Sequence, residues 1–134
     1  EDPTTMGGVV DSSADAYEMA DMGPEDVDVA ELHDMFTILE VLQLEDLGFA
    51  EKGEGWRLAP DGVTTRDGDL PVNTSGGLKS KGHPLGASGV AQAYELHQQL
   101  TGEAGKRQVD ADVGLACNVG GFGNCVTTTI LEAQ

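Results

Sequence analysis

Apolar residues recur with a helical period in three stretches of this chain and with a strand period in three others. Ala14, Ala16, Tyr17, Met19 and Ala20 suit a short helix that begins after Ser12 or Ser13 as N-cap and stops at Gly23, before Pro24. Val27, Val29 and Leu32 alternate loosely with polar residues, which predicts a strand. Phe36, Leu39, Val41, Leu42, Leu44 and Leu47 return to helical spacing. Asp34 suits the cap of this helix, Gly48 its stop, and the helix is expected to be well buried. Ala91, Ala93, Tyr94, Leu96, His97 and Leu100 predict another helix, closed by Gly102. Val113, Leu115 and Cys117 alternate, and a β-branched run from Val126 to Ile130 follows the turn Gly120-Gly121-Phe122-Gly123. A hairpin is expected there.

The segments between carry no long period. Residues 1–11, with Pro3, Gly7 and Gly8, read as a loop leading in from a preceding domain, which leaves residues 12–134 as the domain proper. Residues 49–70 read as a surface excursion around the lone Trp56, Pro71 to Asn73 as a short strand, and residues 103–111 as a polar link. Helices and strands in this order predict a layered α/β domain with a mixed β-sheet covered by helices.

A chain of 134 residues fits one such domain, burying roughly two-thirds of its unfolded surface. With 19 Gly but only three Phe, two Tyr and one Trp, its core has to be built from Val, Leu, Ala and Ile. Asp and Glu total 24 against 7 Lys and Arg, and the net charge of -17 repels nucleic acid and anionic membranes. The carboxylates are spread along the chain, so they form a solvated acidic surface rather than a tail. Such a surface suits a halophilic, cytoplasmic protein whose self-repulsion is screened by salt. Cys117 and Cys125 show neither a zinc-ligand spacing nor a disulfide framework, so no metal is expected. The acidic start is unlike a signal peptide, and no apolar run approaches the roughly 20 residues of a membrane span.

The segment Gly82-His83-Pro84-Leu85-Gly86 sets an imidazole between a residue free in φ and one with φ locked. Lys79 and Lys81 stand close by in sequence and would gather positive charge at one mouth, where an anionic ligand could bind. The plainer alternative is a tight loop whose histidine packs and whose lysines are solvated. His33 lies between a strand and a helix, where side chains converge on clefts in α/β proteins, although a structural histidine is the better reading of that residue alone. Cys117 precedes the glycine-rich turn, whose N–H groups could face an anion; an ordinary hairpin with a small buried cysteine is the alternative. Cys125 reads as core and His97 as helix surface.

Four segments change these readings when taken in order: His33-Asp34-Met35-Phe36, Val72-Asn73-Thr74-Ser75-Gly76-Gly77, Gly82 to Gly89, and Cys117-Asn118-Val119-Gly120-Gly121. Together they resemble the C-terminal domain of thiolases, and the His-Asp form resembles the archaeal and sterol-carrier-protein branches. The resemblance implies transfer of acyl groups between coenzyme A thioesters through a covalent acyl-enzyme, with no bound cofactor. Its nucleophile would come from an N-terminal domain, so this chain is expected to be inactive alone. His83 would take the proton from that nucleophile, and His33 would help stabilise the enolate oxygen, directly or through a water. Cys117 would move the α-carbon proton, its thiol needing no large pKa shift. Backbone at Val119 and Gly120 would serve the acyl-enzyme oxygen, and Lys79, Lys81 and Ser75 would bind substrate. Homo-oligomers and a small OB-fold accessory subunit are the partners the resemblance implies. A non-catalytic module that binds acyl-coenzyme A or serves assembly is the competing reading, and ketoacyl synthases share the ancestral fold but match the His83 segment less well.

Overall fold

The C-terminal hairpin supplies most of the sheet. In the computed structural model, which describes residues 2–121 and 123–134, β2 runs Val113–Gly120 and β3 Cys125–Glu132, paired antiparallel from Val113↔Glu132 to Gly120↔Cys125. Phe122 of the expected turn lies outside the described residues. β1, Val29–Glu31, runs parallel to β2 in the order β1-β2-β3, so the sheet is mixed, as the alternation of elements predicts. Pro71 to Asn73 contributes only a parallel bridge, Ala30↔Val72, on the other side of β1.

Helices cover both faces. α1 (Gly7–Ala20) and α2 (Thr37–Asp46) lie on one side, where Val9, Leu44 and Leu47 form a core with Leu115, Cys117 and Val119. A short helix, α3, spans Gly77–Lys81, and α4, Ser88–Leu100, covers the opposite face, where Leu96 packs on Val29 and Ala116. Among the described residues no helix is long and apolar enough to cross a membrane.

Four expectations are corrected. α1 starts at Gly7, so part of the supposed leading loop is helix. Its glycines hid it, and one is required by packing: a Cβ on Gly8 would lie 2.6 Å from the Gly123 carbonyl oxygen. The excursion at 49–70 is anchored, because Leu70 is buried in the main core and Phe49, Leu58 and Val63 pack against it. Trp56 does stay exposed, beneath the Arg57 guanidinium. Cys125 is exposed instead of buried. Finally, α2 starts three residues beyond Asp34, with Phe36 and Ile38 exposed, while Leu44 and Leu47 are buried as expected.

Candidate functional site

Side-chain hydrogen bonds from Gln43 and Asn73 hold the segment of His33, just beyond the C-terminal end of β1. Its backbone N–H donates to Gln43 Oε1 (3.0 Å) while Gln43 Nε2 donates to its carbonyl (2.9 Å), so one buried amide from α2 clamps both main-chain groups. One residue upstream, Leu32 N–H donates to Asn73 Oδ1 (2.8 Å), which ties the expected Val72-Asn73 segment to the strand. Asp34 accepts the N–H of Leu78 (2.6 Å) and Lys79 (3.4 Å). It therefore caps α3, the helix that leads into Gly82-His83.

The His83 loop is held from beneath by a buried carboxylate. Glu31 is fully buried and accepts hydrogen bonds from the Ser75 N–H (3.0 Å), the Ser75 hydroxyl (2.6 Å) and the Lys81 ammonium (3.3 Å). Lys81 also donates to Ser75 Oγ (2.6 Å). Burial raises the Glu31 carboxyl above its ordinary pKa, against the pull of Ser75 and Lys81. Ser75 and Lys81 thus bond to Glu31 and to one another, with Ser75 half-buried and Lys81 exposed. Lys79 remains exposed.

These supports bring the two imidazoles together. The rings of His33 and His83 meet edge to face with centroids 4.8 Å apart. His33 is 1% exposed, and its Nδ1 lies 3.2 Å from Asn118 Oδ1. Its Nε2 has no hydrogen-bonding partner among the described residues. Burial, then the neighbouring His83, lowers the His33 pKa below the ordinary imidazole value, so the ring is neutral at neutral pH. His83 is exposed, and its Nδ1 sits 2.7 Å from the hydroxyl of Ser88 at the start of α4. That hydroxyl also reaches the Pro84 carbonyl (3.4 Å).

A cavity of about 600 Å³ opens in front of His83, between α4 and the β2–β3 face. Met35, Ser88, Gln92, Asn118, Val119 and Gly120 are among its walls. Val119 and Gly120 line this cavity. Cys117 does not. It is fully buried in the core on the α1–α2 side, level with Thr128 across the hairpin, and burial pushes its thiol up to about 11. The expectation of an unshifted thiol beside the histidines is corrected: alternation along β2 sends residue 117 to one face and 118 to the other. Asn118, passed over in the sequence, takes the place beside His33. Only its position next to Cys117 in an alternating strand could have pointed to it.

The profile of the thiolase C-terminal domain-like family matches residues 1–133. An acetyl-CoA acetyltransferase from Methanothermobacter thermautotrophicus is 52% identical over 132 residues, covering 98% of this chain and 34% of that protein. Sterol carrier protein 2 from Rattus norvegicus is 53% identical over 84% of the chain and 21% of its own length. Among solved structures, the Ltp2-ChsH2(DUF35) aldolase superposes with a TM-score of 0.79 at 29% identity, covering 93% of this chain and 31% of that one. The chain thus spans about a third or less of these proteins.

Proposed function

The chain belongs to the thiolase C-terminal domain-like family, and from that premise we propose that it is the catalytic C-terminal half of a coenzyme-A-dependent thiolase. The observation that carries the reading is the pair of imidazoles in contact, one buried and neutral, the other on the wall of a cavity large enough for an acyl thioester. His83 is the general base. With its Nδ1–H held by Ser88, whose hydroxyl turns to the Pro84 carbonyl, its Nε2 is free to take a thiol proton from a nucleophile in the N-terminal half. Val119 and Gly120 offer backbone N–H groups to the acyl-enzyme oxygen. His33 supports the enolate step beside His83. Leu85 (86% exposed) and Val90 (70% exposed) rim the cavity, an apolar edge for the N-terminal half to cover. Homo-oligomer formation and an OB-fold accessory subunit belong to the same proposal.

The test is mass spectrometry of the complete protein, carrying both halves, after brief exposure to acetyl-coenzyme A. An acetyl-sized adduct that disappears in His83→Ala supports the reading, and an adduct that persists in the variant removes His83 from the first step.

A second reading draws on the structural neighbour, which is named an aldolase. Aldol cleavage needs a base and a stabilised enolate but no acyl-enzyme, and two imidazoles suffice without a thiol in the cavity. Turnover of a β-hydroxyacyl thioester without any covalent adduct would favour it.

A further inference from the structure

We infer that Asn118 is a positioning residue: it holds the His33 imidazole in the Nδ1–H tautomer and thereby leaves Nε2 as an unprotonated acceptor beside His83. The inference deepens the proposed thiolase reading and rests on its assignment of the two histidines.

The argument starts from what each atom can do. A carboxamide oxygen carries no proton, so across the 3.2 Å contact with Asn118 Oδ1 it is His33 Nδ1 that donates. A neutral imidazole has one N–H, so the other nitrogen presents a lone pair. That nitrogen, Nε2, is buried and lacks a partner among the described residues, at a cost a merely structural histidine would be expected to avoid. The titratable groups acting on the ring are His83, which disfavours its charging, and Asp34, which favours it.

Asn118 is itself held. It sits in β2, opposite Thr127 of β3, and the first turn of α4 closes on it: a Cβ on Gly89 would lie 3.1 Å from Asn118 Cγ. The glycine that ends the His83 segment therefore admits the side chain that orients His33.

The consequence is a division of labour. In this tautomer His33 cannot donate a hydrogen bond to a thioester or enolate oxygen. It accepts instead, either a proton or one O–H of a water whose second O–H reaches the oxygen. A direct imidazole donor to that oxygen has to be His83.

The test is the tautomer itself, read by long-range proton–nitrogen correlation of the chain labelled with nitrogen-15 histidine, the His33 signals being assigned by their loss in His33→Gln. At neutral pH the wild-type ring is expected to carry its proton on Nδ1. Asn118→Leu removes the acceptor and should move the proton to Nε2, whereas Asn118→Asp keeps an acceptor, now charged, and should raise the His33 pKa by about one to three pH units. A wild-type ring protonated on Nε2, or an unchanged tautomer in Asn118→Leu, overturns the inference. Should Asn118→Leu fail to fold, the wild-type spectrum and Asn118→Asp still decide. In the complete protein, Asn118→Asp should recover kcat lost in Asn118→Leu and shift the pH profile. Spectra that behave as expected in a protein without acyl transfer would leave Asn118 in its role and remove the thiolase reading.

Discussion

Cys117 and Asn118 are consecutive residues of β2 that look into opposite halves of the molecule: the thiol is sealed under α1 and α2, the carboxamide meets His33 on the α4 side. In the folded chain Cys117 should therefore resist alkylation while exposed Cys125 reacts, because only the thiolate attacks and burial withholds it. Peptide mapping after native and denatured labelling reads this directly. Cys117→Ala should lower stability by about 1–2 kcal/mol through lost packing and leave acetyl transfer in the complete protein largely intact.

His33 makes stability depend on pH. Its native pKa is lowered by burial and by His83, so below the ordinary imidazole value the unfolded chain binds the proton more readily. Stability is complete above about pH 6.5 and declines as pH falls from there toward the lowered native pKa. Denaturant unfolding at several pH values should show this slope in the wild type and a shallower one in His33→Asn.

Glu31 contributes the opposite slope. Its native carboxyl titrates above the unfolded value, so stability falls as pH rises from the ordinary carboxyl range through the raised native pKa. Lys81→Ala removes the cation that offsets this burial, and the loss should be greater at neutral pH than in mild acid. Equal destabilisation at both pH values would mean that the ion pair contributes nothing.

Gln43 fastens the backbone of the buried histidine. Gln43→Leu preserves bulk but leaves the His33 N–H and carbonyl without partners, at about 1–3 kcal/mol for each group. Urea unfolding measures the loss. Because His33 would no longer be fixed against His83, acetyl transfer in the complete protein should fall further than the loss of folded protein explains.

The acidic surface should make stability rise with salt. At a net charge of -17, self-repulsion opposes the compact state, and screening near molar potassium chloride, where the Debye length is about 3 Å, relieves it. Thermal midpoints measured across that range should climb; a flat response would count against a halophilic adaptation.

The amino-acid sequence by itself determined the hairpin, the helices that cover the sheet and the mixed α/β arrangement, because each is written locally as a period or a stop; the joint role of the two histidine segments came from the resemblance to thiolases and not from a local signal. Which way the middle strand faces was not local. β2 is covered on both sides, so residues 113–117 are all buried and alternation carries no inside-or-outside signal; the face is set by pairing to β1 and β3. Glu31 misleads for the same reason, being a charge at an interior position whose partners, Ser75 and Lys81, lie more than forty residues away. Only the tertiary structure decided that Asn118 stands beside His33, that Asp34 caps a helix distant in sequence, and that Cys117 belongs to the core.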